Sequence, residues 1–198
     1  MDTEALIAML AAALALMGSP GPATLSIAAT SAVYGVRGAL PYFCGVCCGT
    51  STIVVLVGTG VTGLVLAVPG AAPVLIALAA AYILYLAYKI ATAPPLQSAA
   101  DAEPAPRALY GYLFAIANPK GYAAIGAVFA GFTLLAAEPA RDAVTKAVVL
   151  IAMVVVVNST WLMTGHLLAQ LFRSPRAARV LNVTFAVLLV LSVVALAL

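Results

Sequence analysis

The chain has 198 residues, of which 65% are hydrophobic and only 8% charged, and its mean hydropathy is +1.17. A soluble domain carries about 25% charged residues, so a water-soluble enzyme and a nucleic-acid-binding module are both excluded, and the bilayer is the solvent. The net charge of +3 says less than the places where the charges fall.

Apolar stretches of spanning length, about 20 residues each, follow one another at 5–30, 39–67, 72–92, 108–135, 143–171 and 178–198. They predict an all-α, polytopic membrane protein with six transmembrane helices and almost nothing left for a soluble domain. The start, MDTEALIAML, carries Asp2 and Glu4 and no basic residue. A signal peptide has a positive n-region, so the first segment is expected to be permanent.

That first segment is interrupted at its centre by GSPGPATL, residues 18–25. Each proline removes a backbone donor and clashes with the preceding turn, at about 3 kcal/mol, and lipid offers no water to the freed carbonyls. Such backbone is tolerable where it lines a cavity, which makes Ser19, Pro20, Gly21, Pro22 and Thr24 candidate binding residues. A broken helix presents partly positive N–H groups at one half-helix and carbonyls at the other. The first suit a carboxylate and the second an ammonium, and an α-amino acid has one of each. A plain proline kink is the alternative.

The second segment holds all three cysteines, Cys44, Cys47 and Cys48. The C-x-x-C spacing of Cys44 and Cys47 admits redox chemistry and gives a second reading of function, a membrane thiol oxidoreductase. The simpler reading is apolar packing beside a ridge of small residues, Gly45, Gly49, Thr52, Gly60 and Gly63. The partner of that ridge is either another helix of the chain or a second copy in a homodimer. A closed zinc site lacks a nearby fourth ligand, so no metal and no other cofactor is expected. In the third segment Tyr82, Tyr85 and Lys89 share a face. Tyr88 and Lys89 read as interfacial anchors, and Tyr85 is a deeper binding candidate.

Residues 92–108, TAPPLQSAADAEPAPRA, read as a flexible linker. The chain divides into 1–92, a linker at 93–107, and 108–198, with three spans in each half. An odd number of spans per half makes the second half enter from the opposite face, as in a 3+3 inverted repeat. The fourth segment is also broken, at Asn118, Pro119, Lys120 and Gly121. Paired interruptions of corresponding segments point to a transporter binding site, with Asn118, Pro119 and Lys120 as contributors. Lys120 is expected either to neutralise a substrate carboxylate and couple protons, or to snorkel or cap carbonyls. In the fifth segment Ser159, Met163, His166 and Gln170 form one stripe. Histidine is the side chain suited to exchanging protons near physiological pH, so His166 fits a proton relay or a plain interhelical hydrogen bond. Asn158, Trp161 and Gly165 share another face, and Asn158 and Trp161 are binding candidates.

Arg37, Lys89, Arg107, Arg173, Arg176 and Arg179 fall in the loops after the odd-numbered segments, against Arg141 and Lys146 on the other side. The positive-inside rule puts the first set in the cytoplasm and both termini outside. The six acids lie at segment ends or in loops. A cation carrier would place a buried acid opposite its cargo, so a zwitterionic or neutral substrate is expected.

The motifs SPGP, YGVRGAL, AAYILYLAYKIATAP, NPK and TGHLLAQLF together resemble the LysE/RhtB family of amino-acid exporters over essentially the whole chain. The third-span ending and GHLLAQLF look most like its cysteine/O-acetylserine exporter branch. The resemblance implies a transporter of the bacterial inner membrane rather than an enzyme. Its cargo would be small neutral amino acids or derivatives of the cysteine, O-acetylserine or threonine/homoserine class, exported against entering protons. Many relatives carry Asp or Asn directly after the PGP, where this chain has Ala23.

Overall fold

A computed structural model of the chain describes residues 2–60, 71–92, 105–171 and 174–197. Seven helices make up these residues, with no strand among them: α1 (Thr3–Gly18), α2 (Pro22–Gly58), α3 (Ala71–Thr92), α4 (Ala108–Ala117), α5 (Pro119–Gly131), α6 (Pro139–Leu171) and α7 (Pro175–Ala197). Most of the expected linker (93–104), the end of the second apolar stretch with Gly63, Arg173 and the Tyr82 side chain lie outside the described residues.

Among the described residues two helices, α2 and α6, are long and apolar enough to cross a membrane; α4 and α5, bent by 60° at their break, make a third span if they act as one. α2 is not one straight rod. Gly35 sits at φ 70° and ψ 172°, inside an otherwise helical run. Glycine adopts this left-handed conformation without the Cβ penalty. The kink falls where the first and second segments were expected to part, so the N-terminal arm of α2 completes the first segment and the C-terminal arm forms the second.

α2 is the centre of the packing and touches α4, α5, α6 and α7, while α3 pairs with α7 and α1 with α5 and α6. The tightest seam is backbone on backbone. Gly45 stands against the Ala108 carbonyl and Gly111 against the Tyr42 carbonyl, and a Cβ on Gly49 would lie 2.7 Å from Tyr112 O. Small residues let helices approach this closely. The ridge is thus consumed inside the chain at Gly45 and Gly49. Gly165 of α6 stands in the same way against Ala28 of α2. Apolar residues such as Ile7, Val144, Val148 and Val180 point outward, as suits helices solvated by lipid.

At the far end of α5 a closed polar knot forms. Lys146 Nζ donates to Phe129 O (3.0 Å) and Phe132 O (2.9 Å) and lies 2.8 Å from Asp142 Oδ2. Asp142 Oδ1 accepts the Leu134 and Leu135 N–H groups at 2.5 and 2.9 Å. Leu134 O in turn accepts the Asp2 N–H, and Asp2 caps α1 through Ala5 N. Asp142 does lie at a segment end, as expected. Yet it is buried, and Lys146, counted above with the outer loops, is a buried helical residue as well. Their i, i+4 spacing lets each neutralise the other.

Candidate functional site

The two breaks are built alike. After Gly18 the chain runs extended through Ser19 (φ −62°, ψ 146°) and Gly21 (φ −164°, ψ 177°), and Pro22 opens α2. Thr24 Oγ1 accepts the Gly21 N–H at 3.0 Å and caps the new helix. At the second break Asn118 (φ −80°, ψ 105°) ends α4, and Pro119 opens α5. Asn118 Oδ1 accepts the Lys120 N–H at 3.2 Å. Proline suits the first helical position, where its missing N–H costs nothing, and Asn is a preferred cap.

The carbonyl end of α1 meets cations and donors from the second half of the chain. Lys120 Nζ donates to Ser19 O (2.9 Å), Ser19 Oγ (2.8 Å) and Pro20 O (3.3 Å). Trp161 Nε1 donates to Gly18 O at 3.1 Å. Three of these four donations reach carbonyls at the end of α1 that the helix leaves without partners, and the fourth reaches the Ser19 hydroxyl, which itself donates to Leu16 O. Gly21 is required by this arrangement, because a Cβ there would stand 2.6 Å from Lys120 Nζ and 2.8 Å from its Cδ.

A cavity of about 50 Å³ opens beside the breaks. The N-terminal turn of α2 (Gly21, Ala23, Thr24) and that of α5 (Asn118, Lys120, Gly121) both line it, with Thr50 of α2 and Asn158 of α6. Two helix N-termini thus bring their partial positive charge to one place. Among the described residues lining it Lys120 is the one titratable group, and the remaining wall is apolar, from Met17, Ile53, Ile125 and Val157 among others. Such a lining favours a small ligand with an anionic end and a short, uncharged side chain. The space holds a few water molecules, so a larger ligand requires the breaks to part or the lysine to withdraw.

Of the residues singled out from sequence, Gly21, Thr24, Asn118, Lys120 and Asn158 line this cavity. Ser19 and Pro20 join it through Lys120, Trp161 closes the end of α1, and Pro22 and Pro119 set the two helix starts. Lys120 itself sits on carbonyls, the capping arrangement set beside the carboxylate role above. Tyr85 is elsewhere: it lines a second cavity with Thr30, Tyr34, Lys89, Arg107 and Tyr110, where Lys89 Nζ lies 6.0 Å from its ring centroid. His166 is also apart from the breaks. Its Nε2 lies 2.8 Å from Gln170 Nε2, one turn along α6. Thr50 escaped sequence reasoning; its place directly after Gly49 in a close-packed ridge was the available signal. Cys47 is buried, with Asn158 Nδ2 donating to its sulfur at 3.5 Å, while Cys44 and Cys48 are exposed.

In comparisons with known proteins, the family model described as LysE type translocator matches residues 14–198. No curated protein and no solved structure matches the chain.

Proposed function

The chain belongs to the LysE type translocator family, and from that premise we propose that it exports small neutral amino acids or their derivatives, of the cysteine, O-acetylserine and threonine/homoserine class, in exchange for protons. A single observation carries the reading: two broken helices meet at one small cavity, with both N-terminal turns facing it and the carbonyl end of α1 alongside. The N-terminal turns suit the carboxylate of the cargo and the carbonyls its ammonium. Lys120, the titratable residue of the lining, is the proton carrier in this reading, with His166 as the next group to test. The apolar wall sets the preference for a short side chain.

The proposed frame is six spans in two inverted halves, 1–92 and 108–198, joined by a cytoplasmic linker at 93–107, in a bacterial inner membrane with both termini outside. The packing supports it. α1 on α6 is the counterpart of α4 on the second arm of α2, and α3 pairs with its own counterpart, α7. A zwitterion crosses without net charge, so the membrane potential acts on it only through a coupled ion. One entering proton contributes about 2.3 kcal/mol per 100 mV. At about 1.4 kcal/mol per tenfold ratio, this sustains roughly a fifty-fold excess outside.

The test is flux of labelled L-serine, L-cysteine and L-threonine in proteoliposomes under an imposed proton gradient. Gradient-driven efflux is expected. Flux indifferent to the gradient would remove the coupling, and absence of flux for the whole panel would remove the substrate class. Pro20→Ala with Pro22→Ala heals the first break and is expected to abolish flux while the protein still inserts.

A further inference from the structure

The first break already shows how an ammonium group sits in this protein. A lysine ammonium has three donors, and Lys120 Nζ spends them on Ser19 O at 2.9 Å, Ser19 Oγ at 2.8 Å and Pro20 O at 3.3 Å. All three acceptors are neutral dipoles, and no described acid pairs with the cation. The side chain lies directly over the Gly21 backbone, where even one methyl group would collide with it. It therefore fills the space between the carbonyl end of α1 and the N-terminal turn of α2. A zwitterion bridging those two ends needs that same space. The cavity beside it, about 50 Å³, holds a few water molecules, and withdrawal of the lysine side chain would enlarge it at the Gly21 side.

We infer that Lys120 is a tethered stand-in for the ammonium of the substrate: it occupies the Ser19–Pro20 oxygens, and the substrate binds by exchanging its own ammonium for that of the lysine while the N-terminal turns of α2 and α5 take its carboxylate. The inference rests on the amino-acid reading above. Because the exposed end of α1 is never left without a cation, the site is held closed by competition rather than by a separate lid. The apparent affinity is lowered by the fraction of molecules in which the lysine is in place.

The sign of one binding change tests this. Equilibrium binding of radiolabelled L-serine is measured on wild type and Lys120→Ala in lipid nanodiscs. About tenfold tighter binding is expected for the variant, since nothing has to be displaced. Weaker or unchanged binding overturns the inference, and weaker binding would make the lysine the partner of the carboxylate instead. On the same variant n-propylammonium is expected to raise the thermal midpoint, whereas tetramethylammonium, which has no donors, is not; equal effects of the two would count against the seat. Should Lys120→Ala fail to fold, competition on wild type decides. Displacement of L-serine by n-propylammonium supports the exchange, and displacement by propionate alone overturns it. If L-serine, L-cysteine and L-threonine all fail to bind either protein while n-propylammonium still stabilises Lys120→Ala, the ammonium seat stands and the amino-acid reading is what fails.

Discussion

Two lysines close two helix ends in this protein, and they are not equivalent. Lys146 caps the end of α5 through Phe129 O and Phe132 O, and Lys120 caps the end of α1 through Ser19 O and Pro20 O. The capping chemistry is shared: an ammonium satisfies carbonyls that the helix cannot. The charge balance differs. Lys146 has the Asp142 carboxylate at 2.8 Å, and that carboxylate is held in turn by two backbone amides. Among the described residues Lys120 has carbonyl and hydroxyl dipoles only. A cation balanced by a fixed anion stays where it is, whereas a cation held by dipoles gives way to any other cation that those dipoles accept. One residue type therefore makes a permanent fastening at one helix end and an exchangeable one at the other.

Asp142→Ala should break the comparison at its strong side. It strands a buried ammonium, and removing one partner of such a pair costs about 3–5 kcal/mol; thermal unfolding of the purified protein reads this directly. A cost under about 1 kcal/mol would mean that the knot is no fastening at all. Adding Lys146→Met to Asp142→Ala should recover part of the loss, because the stranded charge is gone.

Lys120→Met probes the other side. It strands no charge and leaves the half-buried Ser19 oxygens without their donor, at about 1 kcal/mol. Stability should therefore fall less than for Asp142→Ala, while proton-driven efflux in proteoliposomes is abolished. A melting loss equal to that of Asp142→Ala would make the two lysines structurally alike. Gradient-driven export surviving in full would move the proton site away from Lys120.

Trp161→Phe sharpens the picture further. It keeps an aromatic ring but removes the indole N–H that bonds Gly18 O and the packing of the pyrrole ring, so a cost of about 1–2 kcal/mol is expected, together with a few-fold slower flux. His166→Asn should be the mildest change. The side chain lies outside the cavity and faces Gln170, so stability should shift by no more than about 1 kcal/mol with coupling intact. Loss of the gradient dependence in that variant would bring the stripe on α6 into the proton route.

The breaks were legible in the sequence because proline and glycine act locally. Pro20, Gly21 and Pro22, and Asn118 with Pro119, dictate where one helix stops and the next starts whatever surrounds them. Lys120 was legible as an unusual residue, but not the helix end it serves. That depends on how α5 lies against the end of α1, across 101 positions of sequence. Tyr85 was chosen from helical periodicity, which names a face but not the neighbour that the face meets. Asp142 and Lys146 were read as charges at a segment end and in an outer loop; their pairing and burial depend on residues 129–135, which supply the backbone groups that both contact, and no local pattern announces it. The glycine ridge was visible too; its partner, α4, was not.

The bend at Asn118 also has an electrical consequence. The ten residues of α4 rise about 15 Å along the helix axis, half of a hydrocarbon layer roughly 30 Å thick. In the proposed topology, with α4 entering from one face along the membrane normal, the turn of 60° that follows would hold the Lys120 ammonium near the middle of the membrane field. A unit charge travelling from there to either face crosses about half of the potential, or about 1.2 kcal/mol per 100 mV. A voltage step applied to oriented protein should then drive a transient displacement current each time a proton reaches or leaves the break. That current would carry about half an elementary charge per molecule, set by where the chain bends rather than by which cargo the site takes.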